Sequence, residues 1–239
     1  MNQPPAPLLE QPANPIPLEH ALPQWFQVFL ALFSFLLTLL LSRIFGWKPS
    51  ELVWGFWASS LCLGFALMLI SLAGSFFHPQ TEDGSLKGML FAQYPIVRVL
   101  GNLGALLFFT LHFGFFHLII GIFLQEFFPL ITAEAFVAGP FAVMPRVLAA
   151  SLSMFWMVIA LTLLSQTNSL RAAFFTPVNR VMGMPYVNVI RMHLSIFVFG
   201  AFAAFAPPEA LLIVVLLLYY FPWGMLLRFF IQKKPAAQE

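Results

Sequence analysis

Charged residues are scarce in this chain, and their scarcity excludes a water-soluble domain. Only 8% of the 239 residues are charged, whereas soluble domains carry about 25%. Hydrophobic residues make up 61% of the chain and aromatic residues 17%, so a soluble fold would leave most of this apolar surface in water. The composition therefore predicts an integral membrane protein surrounded by a lipid bilayer.

Other features are also missing, and each removes a class of protein. The apolar runs do not alternate with polar residues, which excludes an outer-membrane β-barrel. The net charge of +2 is spread over the loops without a basic cluster, so nucleic acid is not expected as a partner. Cys62 is the single cysteine and cannot form an intrachain disulfide. No Walker loop, dinucleotide glycine fingerprint, nucleophile elbow or HExxH motif occurs, so nucleotide-driven and hydrolytic chemistry lack visible machinery.

Long apolar runs are what the chain has in abundance. A run of about 20 apolar residues crosses the hydrocarbon layer as a helix, and six runs are predicted to do so: Trp25–Phe45, Leu52–Phe77, Val97–Phe128, Val147–Leu164, Val187–Phe205 and Ala210–Phe230. The predicted fold is all-α, a polytopic membrane protein with six transmembrane helices in one domain over residues 24–232. A proline-rich tail, residues 1–23, and a short tail, residues 233–239, flank this domain.

Six crossings place both termini on one side of the membrane, and the basic residues indicate which side. On the side of the termini are Lys87, Arg98, Arg171, Arg180, Arg191, Arg228, Lys233 and Lys234, against Arg43, Lys48 and Arg146 on the other. Because cytoplasmic connections carry the excess of Lys and Arg, we expect both termini in the cytoplasm of a bacterium and the helices in its inner membrane. Amphipathic aromatic residues mostly lie near the predicted helix ends and are expected to anchor at the lipid headgroups: Trp25, Trp47, Trp54, Trp57, Tyr219, Tyr220 and Trp223.

The third apolar segment contains the most informative residues, two histidines within FFTLHFGFFHLIIGIFL. At about 100° per residue, Arg98, Asn102 and His112 share one stripe of this helix, and we expect that stripe to face protein because ionisable residues inside membranes rarely face lipid. His117 follows His112 by five residues, hence about 140° around the helix and about 7.5 Å along it. A regular helix therefore cannot turn both rings onto one metal ion.

A third histidine, His193, lies in the fifth segment. Asn188 and Arg191 share a stripe that points away from His193, and with Arg98 and Asn102 they are predicted to form a buried polar edge. The face of His193 includes small residues that allow helices to approach closely, so we expect this histidine to pack against another helix.

Three interpretations of His112, His117 and His193 stay open. In the first, neutral rings donate hydrogen bonds to neighbouring helices and stabilise packing. In the second, His112 and His193, with His117 or a water, bind a transition metal such as copper or zinc. Haem is a less favoured cofactor because its two ligands must lie at equal depth, whereas we place His193 about 10 Å below Tyr186 and His112 about 20 Å below Arg98. In the third, the histidines line a path for protons or a substrate.

Two short motifs carry a resemblance to a known family. His112, Phe113 and Gly114 fit a His-Phe/Tyr-Gly helix motif, while Pro185, Tyr186 and His193 fit a Pro-Tyr-x6-His helix motif. In these motifs the chain resembles a bacterial and archaeal family of small multi-pass membrane proteins classified only as a domain of unknown function. The resemblance covers most of the chain from the second segment onward and implies a helical membrane fold without an established activity. Asn188 departs from the family pattern, in which an arginine is expected at that position.

The functional expectation is a non-catalytic accessory or structural subunit of a larger membrane complex. Few intramembrane charges and a small number of spans argue against an independent transporter. We expect contacts with other membrane subunits through helix faces and the amino-terminal tail. An enzyme is not favoured; a histidine-ligated metal protein or oxidoreductase is the alternative, and a small transporter is the third hypothesis.

Overall fold

Every regular element in the described part of the chain is a helix, as the sequence predicts. A computed structural model describes residues 22–77, 93–131, 139–221 and 223. Within these ranges the chain forms α1 Gln24–Phe45, α2 Pro49–Phe77, α3 Pro95–Phe127, α4 Pro140–Met154, α5 Trp156–Ser165, α6 Thr167–Phe175, α7 Val178–Val181, α8 Pro185–Phe202 and α9 Pro208–Tyr220. The predicted tails, residues 1–23 and 233–239, lie outside the described residues except for Leu22 and Pro23.

Proline and glycine set many of the helix boundaries. Helices begin at Pro49, Pro95, Pro140, Pro185 and Pro208, because proline is favoured in the first helical turn, where its missing N–H has no intrahelical partner. Helix α1 ends before Gly46, which has a φ of 66° and donates its backbone N–H to the Ser42 carbonyl. That left-handed conformation is one that glycine adopts without strain.

The helices are those of a membrane protein. Helices α1, α2 and α3 and the segment Val178–Phe202, which contains α7 and α8, are long and apolar enough to cross a membrane. A fifth crossing is obtained when α4 and α5 are counted as one bent span. Helix α9 has 13 residues and is shorter than a full crossing requires. The structure therefore supports four or five spans within its described residues, and the prediction of six is not confirmed.

The predicted fourth span is not a straight helix. Helices α4 and α5 meet at an angle of 72°, and the break lies at Phe155, where φ is −115° and ψ is 21°. The Phe155 ring is fully buried and packs edge-on against Trp47, with 5.3 Å between ring centroids. Tertiary packing thus stabilises a break that the continuous apolar run does not reveal.

Helix α2 is the centre of the fold. Every residue from Leu52 to Ser60 is buried, and all the helices from α3 to α9 contact α2. Helix α1 packs mainly on α5 and α9. A helix that is apolar on all faces is buried either in protein or in lipid, and in α2 the stretch from Leu52 to Ser60 is buried by the neighbouring helices.

Two glycines allow the neighbouring helices to approach α2 closely. A Cβ atom at Gly64 would overlap the ring of Phe113 in α3, and one at Gly74 would overlap the backbone carbonyl of Phe174 in α6. Gly64 lies 15 residues after Pro49 and 13 before Phe77, so its contact places Phe113 level with the middle of α2. Small residues at such crossings let helix backbones pack tightly in membranes.

Hydrogen bonds from α2 side chains to backbone carbonyls reinforce this packing. Trp57 donates through Nε1 to the His117 carbonyl over 2.9 Å, and Ser71 donates through Oγ to the Thr176 carbonyl over 2.6 Å. Water is scarce in the hydrocarbon layer, so a buried polar group must find its partner within the protein.

We expect Gly74→Val to destabilise the protein by roughly 1–3 kcal/mol, the usual cost of overpacking. The added Cβ meets a backbone carbonyl, which cannot rotate away as a side chain can. Gly104→Val is the matched control, because a Cβ there meets no atom of the described chain within 4 Å. Thermal unfolding in dodecylmaltoside measures both variants, and equal transition temperatures would contradict the packing of α6 on α2.

Candidate functional site

His117 is buried between α2 and α3 and is 1% exposed. Its Nδ1 lies 3.0 Å from the Phe113 carbonyl and its Nε2 lies 3.2 Å from Oγ of Ser60. A carbonyl only accepts hydrogen bonds, so Nδ1 carries the proton in the neutral ring and Nε2 accepts from the Ser60 hydroxyl. Both ring nitrogens are therefore engaged, and His117 could bind a metal only by breaking one of these contacts.

His112 is exposed on α3, which differs from the expectation that its stripe faces protein. Its ring stacks on Phe108, with 5.6 Å between centroids, and lies 6.2 Å from the Tyr186 ring. The buried face of α3 is instead formed by Phe109, Phe113, His117, Ile120, Gly121, Leu124 and Gln125. Helix α3 is apolar on every side, so hydrophobic periodicity does not identify the face that packs on α2.

His193 is partly exposed on α8. Its Nδ1 lies 2.7 Å from the Val189 carbonyl, so Nδ1 carries the proton and Nε2 is left as an acceptor. Within the described residues, no hydrogen bond engages Nε2. The ring lines a cleft of about 350 Å³ between α3 and α8 and lies 5.4 Å from the Phe116 ring.

The structure places His112 and His193 at different levels along α3 and α8. His112 lies beside Tyr186, and His193 lies beside Phe116. Tyr186 and His193 are separated by about 10 Å along α8, and His112 and Phe116 by about 6 Å along α3. No ring contact joins the two histidines, and no group of three His, Cys, Asp or Glu side chains in the described ranges is arranged to hold a metal. The metal site predicted for this pair stays a prediction.

The predicted polar edge forms hydrogen bonds between helices at two places. Asn102 of α3 donates through Nδ2 to Oγ of Ser75 over 3.0 Å. Asn188 of α8, which is buried, donates through Nδ2 to the Tyr219 hydroxyl of α9, also over 3.0 Å. Arg98 and Arg191 are both partly exposed.

Two tyrosines form a buried polar network that sequence reasoning missed. Tyr220 accepts a hydrogen bond from Oγ1 of Thr38 over 3.2 Å and lies 3.3 Å from Oγ1 of Thr162. Tyr219 stacks on Phe56, with 4.1 Å between ring centroids. The prediction that both tyrosines anchor at the headgroups is wrong, because both are buried where α9 meets α1, α2 and α8. Thr38 and Thr162 could have indicated this network from the sequence, because hydroxyl groups within apolar segments need hydrogen-bond partners in a membrane.

We expect Ser60 and His117 to be energetically coupled. Ser60→Ala should cost about 1 kcal/mol of unfolding free energy, because Nε2 of His117 loses its donor. In a double-mutant cycle with His117→Phe, the coupling should be about 1 kcal/mol. As a control, His117→Phe is combined with Thr110→Ala. Thr110 is exposed, and its hydroxyl donates a hydrogen bond only to the Leu106 carbonyl of the same helix. Titration with SDS in mixed micelles measures each variant, and additive effects of Ser60→Ala and His117→Phe would disprove the hydrogen bond.

Comparison with known proteins finds one family. The model of DUF6498, described as a family of unknown function, matches residues 18–238. No curated protein and no solved structure gives a significant match. The matched range contains all the helices described above, with His112, His117 and His193.

Proposed function

The chain belongs to DUF6498, a family of unknown function, and we propose that it is a non-catalytic accessory or structural subunit of a larger membrane complex. Under this proposal it contacts other membrane subunits through its helix faces and its amino-terminal tail. The observation that carries the proposal is the exposure of His112 in the middle of a membrane-spanning helix.

The depth of His112 is supported by two measurements along the chain. His112 lies 17 residues after Pro95 and 15 before Phe127 in α3. Its neighbour Phe113 contacts Gly64, which is near the middle of α2. The ring is therefore far from both ends of these helices. An imidazole facing hydrocarbon has polar nitrogens without hydrogen bonds, at a cost of roughly 1–3 kcal/mol.

A partner helix would remove this cost. Ionisable residues inside membranes almost always face protein, and His112 faces outward in the isolated chain. At about 100° per residue, Gly101, Ala105, Phe108 and Ile119 lie within about 40° of His112. Small residues at one end of this His112 face permit close approach, and a hydrogen-bonding group of the partner would engage the ring.

We expect a photoreactive amino acid at Ile119, on the His112 face, to crosslink one specific membrane protein in native membranes. The control position is Leu103, which is also exposed but lies about 180° from His112. His112→Leu should reduce the Ile119 crosslink severalfold, because it removes the hydrogen bond to the partner. Mass spectrometry identifies the crosslinked protein.

Two results would contradict the subunit proposal. One is the same set of crosslinks from Ile119 and Leu103. The other is a chain that purifies in mild detergent only as a monomer or as copies of itself.

The proposed topology has six crossings in a bacterial inner membrane, with both termini in the cytoplasm. The excess of Lys and Arg on the terminal side supports this orientation. The backbone N–H of Leu22 donates to Oδ1 of Asn168 over 3.1 Å, which brings the start of α1 to the start of α6. At the other end of α1, Trp47 packs against Phe155, next to the connection that contains Lys48.

Single cysteines in a Cys62→Ala background test this orientation. With the chain produced in a bacterium, a cysteine at Lys48 should react with a membrane-impermeant maleimide in intact cells. A cysteine at Arg171 should react only after the membrane is permeabilised, because the terminal side is cytoplasmic. The reverse pattern would show that the orientation is inverted.

A further inference from the structure

Helix α4 lies at one end of the helix bundle. The start of α2 and the end of α3 meet at this end, where the indole of Trp54 donates a hydrogen bond to the Phe128 carbonyl over 2.8 Å. Trp47, in the connection between α1 and α2, packs at the same end against Phe155, the residue that follows α4. This end is called the Trp47 end below.

The two ends of α4 contact the bundle at similar depths. Near the start of α4, Met144 contacts Gly121, which lies six residues before the end of α3. Directly after α4, Phe155 contacts Gly55, which lies six residues after the start of α2. Each contact is therefore about 9 Å from the end of its helix. Because Met144 and Phe155 are about 16 Å apart along a helix, α4 lies across α2 and α3 and does not run parallel to them.

The chain crosses the length of the bundle after α4, through α5 and α6. Phe155 precedes α5 and contacts Gly55, and Phe174, in the last turn of α6, contacts Gly74. Gly55 and Gly74 are about 28 Å apart along α2, which matches the hydrocarbon thickness of about 30 Å. Helix α4 meets α5 at 72°, so it departs from the direction of this crossing.

The exposed face of α4 has an apolar flank and a polar flank. The side that packs on the bundle consists of Val143, Met144, Val147 and Ser151. Phe141 and Leu152 are exposed within about 20° of each other around the helix. Arg146 and Ser153 are exposed about 120° from that pair. Within the described residues, no hydrogen bond or ion pair engages Arg146.

We propose that α4 is an in-plane interfacial helix whose exposed face binds phospholipids of the leaflet at the Trp47 end. Interfacial helices bury an apolar side about 5–10 Å into the boundary between headgroups and acyl chains and keep basic residues on the polar side. Phe141 and Leu152 insert among the acyl chains. Arg146 binds a lipid phosphate, to which a guanidinium donates two parallel hydrogen bonds. This role does not depend on the subunit function proposed above.

The depths of two spin labels on α4 test the proposal. Single cysteines in the Cys62→Ala background carry a nitroxide at Phe141 or Leu152, and the protein is placed in nanodiscs of phosphatidylcholine and phosphatidylglycerol. Collision rates with oxygen and with a water-soluble nickel chelate measure depth. The two labels should differ in depth by about 5 Å, because a helix tilted by 72° advances only about a third of its length along the membrane normal.

Leu100 and Leu111 of α3 are the control pair. They have the same spacing, are both exposed and lie on one face of a helix that is long enough to span the membrane, so their depths should differ by about 16 Å. If the difference between Phe141 and Leu152 exceeds half of the control value, α4 runs along the bundle and the proposal is overturned.

A label at Ser153 tests the division of the exposed face. It should collide severalfold more often with the nickel chelate than a label at the adjacent Leu152, because the polar flank faces the headgroups and water. Equal or reversed accessibility would overturn the proposed orientation of α4.

The lipid contact of Arg146 is measured by solid-state NMR. Arginine is labelled with ¹³C at Cζ, and the unsubstituted chain and its Arg146→Gln variant are placed in phosphatidylglycerol bilayers. The Cζ resonance that disappears in Arg146→Gln should lose intensity through dipolar coupling to the lipid ³¹P. If that resonance is unaffected by ³¹P, Arg146 does not bind the phosphate and this part of the proposal is wrong.

Discussion

The enclosure of α2 by the other helices is the constraint on which the rest of the structure depends. The stretch from Leu52 to Ser60 has no lipid-facing side, so seven other helices must pack around or along α2. Close contacts at Gly64 and Gly74 position α3 and α6 relative to α2. Hydrogen bonds from Trp57 and Ser71 to neighbouring carbonyls then satisfy polar groups that the membrane cannot hydrate.

This packing gives three histidines three different environments. His117 faces α2, and its two nitrogens are occupied by Phe113 and Ser60. His112 is turned about 140° from His117 and is left on the outer surface of α3. His193 is partly exposed on α8, and within the described residues only its Nδ1 makes a hydrogen bond. The interpretation of histidine as a packing residue therefore suits His117, while the other two retain capacity to bind something outside the chain.

Prediction from sequence succeeded where local properties decide the structure. The first three apolar segments match α1, α2 and α3 to within three residues at each end, because hydrophobic length and prolines are local signals. The sequence did not indicate the break at Phe155 within the fourth apolar segment, where the Phe155 ring packs against Trp47. Prediction from sequence failed for Tyr219 and Tyr220, which were expected at the headgroups. Their hydrogen-bond partners Asn188 and Thr38 come from distant parts of the chain.

The sequence by itself determined that the chain is helical, that its helices are apolar enough to span a membrane, and that it belongs to a family of unknown function. Only the tertiary structure decided that His117 is buried between helices, whereas His112 is exposed and His193 partly exposed. The physical reason is that α3 is apolar on all sides, so its periodicity does not distinguish a protein-facing from a lipid-facing side. The shape of α2 decides which face of α3 is buried. Gly64 of α2 leaves space for the ring of Phe113, and this contact turns His117 inward and His112 outward.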